Sequence, residues 1–560
     1  MSTIKNTLLY IVLFLGLHSV SAQTENPVIS AIQKEVDRNK KELKMEGVAS
    51  AFFISYMVFD RYDYSLSASL GSISSASEYR RRQGVPTLLV GDYHRNNLNV
   101  AASGGMFFPG LTTLTDNSGI SLTIWRDLDG IYKTSVERYK AKMAILQQQT
   151  QTKEEQALPD FEQVKPVNIV LQPAPIDVNK TYWENYLRKA SEIAKQYPDI
   201  LSSSVSLSAR NIMAYTYNTE GSRFAAPTTV YQLIFTANTR ADDGQELTNT
   251  IFVENATFQQ MPDLTTFTNR CKMVMENLLQ LKKAPVMDDA YFGPVLFENE
   301  AAFRIFLNAF LSNNRLAASQ KLVQPQQQNP MMMMPNQFQI QGGNDFELML
   351  NKKVISRDIT IKSITGQEFY KGQRLNGYYP VDAEGVVPDK ELALIENGVL
   401  RNMLNGRRPT KRIGQSNGHF RYDYNNYSFS VMPGNILITS SKTFSNEELR
   451  KKLIAAAKEE DLEYAYIVRA MEGSALYLIY RIFVDDGREE LLRGATISDA
   501  ANIRAFKRIL GVSDKEIIAS YGSSVQSTVI LPNAILFEEM DVARTPNIEF
   551  KKPYIVPKPN

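Results

Sequence analysis

The chain has 560 residues, room for about three to four domains at ~150 residues each; its 43% hydrophobic and 22% charged content excludes wholesale disorder. With 62 Lys+Arg against 60 Asp+Glu, no global field recruits nucleic acid or an anionic membrane. Three histidines and one cysteine exclude Cys-rich zinc modules, disulfide scaffolds and a histidine-built metal cage before any motif is inspected.

Met1 to Ala22 reads as an export signal. Lys5 supplies a positive start, Leu8 to Leu17 an apolar core, and Val20-Ser21-Ala22 a small-residue cleavage site before Gln23. The apolar run is half the ~20 residues that a spanning helix needs, so no stable membrane span is expected. Cleavage after Ala22 predicts a periplasmic or secreted chain, removes His18 and leaves His94 and His419. Cys271 has no partner for an internal disulfide, so packing alone must hold the mature chain.

Ile29, Ile32, Val36 and Leu43 recur near helical spacing and predict an amphipathic helix over 29–46, stopped at Gly47. Residues 51–59 (AFFISYMVF) read as a buried strand, and 87–90 and 100–108 as further strands, the last broken at Gly104-Gly105. The polar stretch 141–165 begins helical and ends as loop. Tyr182 to Gln196 reads as a helix, and 203–216, 227–237 and 249–254 as strands. Leu264, Phe267, Cys271, Val274, Leu278 and Leu281 form a helical stripe that ends at Lys282-Lys283-Ala284-Pro285, which places Cys271 as a buried core thiol.

Beyond Pro285 the character changes. Residues 323–343 are rich in Gln, Pro and Met and read as a flexible insertion, since a soft-metal site wants spaced sulfurs. Two apolar segments flank Asn397-Gly398 within 391–404, a strong hairpin signal. A second hairpin is predicted over 474–492 around Asp485-Asp486-Gly487, and helices over 446–458 and 497–510. No period of 20–50 residues indicates a repeat architecture.

Most catalytic chemistries fail on inventory. No P-loop, dinucleotide glycine signature or nucleophile elbow is present. A Ser-His-Asp triad would have to use His94, in a polar segment between strands, or His419, in a turn entering a strand. Each reads as a partly exposed loop histidine. Asp288-Asp289 and Glu489-Glu490 read as solvated turns, and Arg80-Arg81-Arg82 as an exposed strand end. Phe420, Tyr422 and Tyr424, with Tyr427 and Phe429 after a one-residue offset, alternate with polar residues at nearly strand period. That aromatic row is either ordinary sheet packing or the wall of a binding cleft.

Several segments then occur in a recognisable order: Gly293-Pro294-Val295-Leu296-Phe297-Glu298 before Glu300-Ala301-Ala302, then Asp382-Ala383-Glu384-Gly385, Leu394 to Leu400, Gly406-Arg407-Arg408 and Asn417-Gly418. Met432-Pro433-Gly434, Arg493-Gly494-Ala495-Thr496 and Pro532 to Glu539 follow. In these residues the chain resembles the TldD/PmbA family, also called modulator of DNA gyrase, whose better-studied members are metallopeptidase-related. The resemblance implies an α+β chain of two domains: an N-terminal α/β domain at 23–284, with a polar insertion at 141–165, and a C-terminal mixed domain at 285–560 with extensive antiparallel sheet and an insertion at 323–343.

In peptidase-type members of that family, the helix after the EAA-like segment carries HExxxH, whose histidines bind zinc while the glutamate activates water, and a cysteine near the C-terminus completes the site. The histidine positions fall here on Leu307 and Ser312 and the glutamate position on Asn308. No histidine lies between His94 and His419, and no cysteine follows Cys271. The expectation is therefore no catalytic residue, no metal ligand and no family zinc or other cofactor. The PmbA branch also lacks the motif and works beside a TldD-type subunit, which implies a homo- or heterodimer with a TldD/PmbA-like chain and an extended peptide ligand, without nucleic acid. The expected role is a peptide-binding or partner subunit of a proteolytic complex. The alternatives are a hydrolase with remodelled, metal-independent chemistry, drawing on His419, Asp423 or Tyr424, and a metallopeptidase whose zinc site comes from its partner. The candidate cleft residues are His419, Tyr422 and Tyr424.

Overall fold

The computed structural model describes residues 26–545, apart from 101–111, 115–118, 174–175, 177, 313, 325–344, 475, 498–502 and 523–524. The leader, the strand expected at 100–108 and nearly all of the Gln/Pro/Met insertion thus lie outside the described residues.

The N-terminal half runs α1 (Pro27–Glu42), β1 (Ala51–Ser69), β2 (Ser72–Val90), β3 (Thr112–Leu114), α2 (Ile120–Gln147), α3 (Lys153–Ala157), β4 (Asn168–Val170), α4 (Lys180–Glu192), β5 (Ser202–Asn218), β6 (Arg223–Arg240), β7 (Glu246–Asn255) and α5 (Leu264–Lys283). Its single sheet has the order β3-β2-β1-β5-β6-β4, with β7 also paired to β6. Asn26 caps α1 through Val28 and Ile29 N–H, and Pro27 starts the helix where no N–H is needed. Asp263 caps α5 in the same manner.

The period of two along β1 decides what each face meets. Ile54, Tyr56 and Val58 pack under α1 and α2, and Tyr64, Leu66 and Ala68 under α4 and α5. The alternate residues Met57 and Phe59 meet Ile212 of β5 and the C-terminal half. Both faces being covered, the strand start reads as a continuous apolar run.

The C-terminal half runs β8 (Tyr291–Asn299), α6 (Glu300–Phe306), β9 (Ile359–Ser363), β10 (Phe369–Tyr370), β11 (Gln373–Arg374), β12 (Leu392–Glu396), β13 (Val399–Leu400), β14 (Phe420–Asp423), β15 (Ser428–Val431) and β16 (Asn435–Ser440). It continues through α7 (Asn446–Glu459), β17 (Tyr464–Ala470), β18 (Leu478–Phe483), β19 (Glu489–Leu492), β20 (Ala495–Ile497), β21 (Ile509–Val512), β22 (Glu516–Tyr521), β23 (Ser527–Pro532) and β24 (Ala534–Arg544). Two sheets, β13-β12-β9-β16-β23-β22 and β19-β18-β17-β8-β24-β20, contribute to one core around α6. Pairing is antiparallel except at β4–β6, β16–β23 and β8–β17. The chain is thus an α+β protein with extensive antiparallel sheet. No described helix is long and apolar enough to cross a membrane.

Both predicted hairpins form. Asn397 and Gly398 take φ of 47° and 77° between β12 and β13, the paired positive values that a two-residue turn of this hand demands. Asp485 to Gly487 separates β18 from β19.

Four readings are corrected. The helix expected over 497–510 is absent from the described residues there: Ile509–Val512 is a strand on β24, and Phe506 is drawn into the core against Phe310, 5.1 Å between ring centroids. Tertiary packing has overridden a helical spacing. Arg80-Arg81-Arg82 sits inside β2, not at a strand end, because the Ser-rich stretch from Ser72 continues the pairing without an apolar pattern. Glu489 and Glu490 are strand residues, ion-paired with Arg469 and Arg481. The aromatic row is a hairpin: β14 turns at 424–427 into β15, so Phe420 stacks on Phe429 at 5.6 Å.

Candidate functional site

Leu307–Leu311 continues α6 as a π-helical turn, closed by Ser312 N–H donating to Leu307 O at 2.8 Å. Ala309 and Phe310 are fully buried, and Phe310 stacks on Phe306 at 5.0 Å. The three positions to which the resemblance assigns the motif hold a half-buried Leu307 without a donor atom, a neutral amide at Asn308 and an exposed hydroxyl at Ser312. That set does not fit zinc, which takes thiolate, imidazole or carboxylate. Among the described residues, no group of three or more His, Cys, Asp or Glu side chains could hold a metal ion.

Beside this turn lies a cavity of about 880 Å³ between the halves. Asn99 reaches it from the N-terminal half, Arg315 and Gln320 follow the π-turn, and Arg408, Phe420 and Phe429 also line it. Arg315 Nη1 donates to Ala309 O, which ties one cation of the wall to the π-turn itself. β15 contributes Phe429 to Val431 to the lining and pairs only with β14 among the described strands, so its second edge carries no strand. An edge of that kind accepts an extended peptide through backbone hydrogen bonds.

Two buried networks hold this wall. Arg407 is fully buried; its guanidinium forks onto Glu220 at 2.5 and 2.8 Å, donates to Glu162 O, and lies over the Phe161 ring at 4.1 Å. Tyr93 donates to the same Glu220 carboxylate at 2.7 Å. Arg407 N–H in turn donates to Glu384 at 2.7 Å. Burial, with Glu384 adjacent, pushes Asp382 up to about 7, against three backbone N–H groups that favour its charged form.

The second network centres on His419. Asn417 Nδ2 donates to Met403 O, which orients its amide so that Oδ1 accepts from Asn405 N at 2.7 Å and from His419 Nδ1 at 2.8 Å. His419 Nε2 is then the acceptor, facing Ser363 Oγ at 2.9 Å and Thr365 Oγ1 at 3.2 Å. The order hydroxyl–imidazole–amide has the geometry of a nucleophile and its base. Ser363 and His419 are each 1% exposed, however, so no substrate carbonyl reaches the hydroxyl in this conformation. Burial depresses the imidazole pKa to about 3, and the neutral ring holds Asn417, whose Oδ1 also accepts from the N–H of Asn405 at the cavity wall.

The partly exposed loop histidine expected at 419 is therefore corrected: a side chain in a turn is covered here by β9. Tyr422 is buried and Tyr424 half-buried; they pack on Phe59 at 5.8 and 5.2 Å between ring centroids, joining the halves. Asp423 accepts N–H bonds from Asn425 and Asn426 and shapes the hairpin turn. None of these residues lines the cavity. His94 is exposed, as expected of a loop residue. Sequence reasoning assigned no role to Arg315, Gln320, Arg407 or Arg408. They come from separate stretches with no shared period, and only the Gly406-Arg407-Arg408 resemblance touched two of them, Arg407 and Arg408.

Residues 293–544 match the family model described as the PmbA/TldA metallopeptidase C-terminal domain. No curated protein sequence matches the chain. Three solved structures share the fold: a proposed modulator of DNA gyrase from Thermotoga maritima (14% identity, TM-score 0.54, 92% of this chain and 99% of that one), TldE from Thermococcus kodakarensis (13%, 0.52, 92% and 100%), and a proposed modulator of DNA gyrase from Bacteroides thetaiotaomicron (11%, 0.54, 92% and 98%). The chain is thus similar to the PmbA/TldA metallopeptidase C-terminal domain over residues 293–544, and it shares the fold of these three proteins over nearly its whole length.

Proposed function

We propose that this chain is an exported member of the family that carries no zinc of its own and binds an extended peptide, as a receptor or as one subunit of a proteolytic complex. The observation that carries the reading is the pairing of a donor-poor π-turn at Leu307 to Leu311 with an adjacent cavity bordered by the open edge of β15. Backbone pairing needs no metal, so binding survives where hydrolysis does not. The export part rests on the leader read at Met1 to Ala22. The likeness of the fold to that of TldE supports a dimer with a TldD/PmbA-like subunit.

The test is to purify the exported chain and measure zinc content, hydrolysis and binding of a fluorescein-labelled unstructured peptide. The expected result is an N-terminus at Gln23, substoichiometric zinc and saturable peptide binding without cleavage. Stoichiometric zinc with peptide hydrolysis by the isolated chain overturns the proposal.

A further inference from the structure

The arginines of this fold mostly end on carboxylates: Arg407 on Glu220, Arg469 on Glu489, Arg481 on Glu490, Arg493 on Asp243. Arg408 differs. Its guanidinium lies over the Phe420 ring at 4.4 Å, its Nε is buried without a hydrogen-bond partner, and Glu384 Oε1 stands 3.8 Å away, beyond hydrogen-bond reach. Glu384 is turned to Arg407 N–H instead. The cavity lining contains Arg315 and Arg408 and no Asp or Glu among the described residues. On the same wall, Gln320 Nε2 is fixed by Asp160 O and Pro409 O at 3.1 and 2.8 Å, which leaves its buried Oε1 without a donor.

A guanidinium on a partly exposed side chain whose buried Nε has no acceptor, and a buried amide oxygen without a donor, each leave hydrogen-bonding capacity that a ligand can satisfy. One ligand class satisfies both: a chain bearing a carboxylate beside an amide N–H. We propose that the cavity selects peptides by a carboxylate, held by the guanidinium of Arg408 with Arg315 adding positive charge, while Gln320 Oε1 accepts a peptide N–H. Guanidinium forks match carboxylates in two parallel hydrogen bonds, which gives the selection direction as well as charge. This rests on the peptide-binding reading above and adds a substrate class to it. The carboxylate comes from the peptide C-terminus or from a Glu or Asp side chain.

Four fluorescein-labelled peptides of equal length separate the cases by anisotropy with the full mature chain: a neutral peptide with a free C-terminus, its C-terminal amide, the amide with internal glutamates, and the amide with lysines in their place. The inference expects the free-acid peptide, the glutamate peptide or both to bind at least tenfold tighter than the plain amide and the lysine peptide. Preference for the free acid assigns the terminus; preference for the glutamate peptide assigns the side chain. Arg408→Gln abolishes the preference and Arg408→Lys retains part of it, with thermal melts confirming folded variants. Equal binding of all four peptides overturns the charge selection and leaves peptide binding standing. Binding of none overturns both. A full preference surviving in the Arg408→Gln/Arg315→Gln double variant also overturns the assignment.

Discussion

Arg407 and Glu220 meet in a buried two-pronged ion pair, at 2.5 and 2.8 Å, that ties the segment lining the cavity to the turn after β5. The same guanidinium closes on Glu162 O, so one side chain links three chain segments.

Replacing Glu220 with Gln leaves that guanidinium buried without an anion. Breaking a buried pair from one side costs about 3–5 kcal/mol, and Tyr93 loses its charged acceptor as well. Chemical denaturation of the Glu220→Gln chain measures the loss. An Arg407→Met/Glu220→Met double variant should be less destabilised than the sum of its single variants; simple additivity would show that the two residues do not act as a pair.

His419 titrates against the fold. Its ordinary pKa near 6.5 falls to about 3 in the folded chain, so between these values the unfolded state binds a proton that the folded state refuses. Its contribution is fully present above pH 6.5 and is lost progressively as pH falls toward 3, by about 2 kcal/mol at pH 5. Stability of wild type and His419→Leu, measured at pH 7.5 and pH 5, should differ in pH sensitivity by roughly that amount. An unchanged pH dependence in the variant would place the acid sensitivity elsewhere.

Cys271 is fully buried on the inner stripe of α5, and burial raises its thiol pKa. Thiolate is the reactive form, so an aromatic disulfide reagent should leave the native chain unmodified and label one thiol after denaturation. Rapid labelling of the folded protein would contradict this packing.

Gly398 has φ of 77°, and a Cβ there would come within 2.6 Å of Ile355 O. Gly398→Ala therefore meets both backbone strain and a clash with main chain. A loss of about 1–3 kcal/mol is expected, against a smaller change for Gly487→Ala, where a Cβ meets open space. Thermal melts of the two variants give the comparison.

The sequence was most legible where local pattern and tertiary demand agreed. The α5 stripe, the Asn397-Gly398 turn and the strand start at 51–59 each carry their own signal, while the two-domain α+β organisation was implied by the family resemblance. The rest of β1 and β2 was hidden because Asp60, Asp63 and the Ser-rich 72–77 stretch lack apolar alternation; their pairing comes from register with neighbours, as in Asp60 of β1 and its partner Arg82 of β2 bridging at 2.5 Å. The α2 stripe of Ile120, Ile124, Leu128 and Ile131 was present but masked by the polar residues that follow it. The cavity was the least legible part, since Asn99, Gln320 and Arg408 converge only through the fold. His419 shows the limit from the other side: a turn glycine before it suggested exposure, while Ser363 and Thr365 close over its ring.

The π-turn at Leu307 to Leu311 is also a device of angular phase. In an α-helix, residues five apart, such as Leu307 and Ser312, stand about 140° from one another around the axis. Widening one turn to an i→i+5 bond rotates them back toward a common side. The spacing H-x-x-x-x-H of the resembling peptidases needs such a rotation for both imidazoles to face one ion. In this chain the rotation falls where the two side chains are leucine and serine, so the backbone alignment stands without any metal.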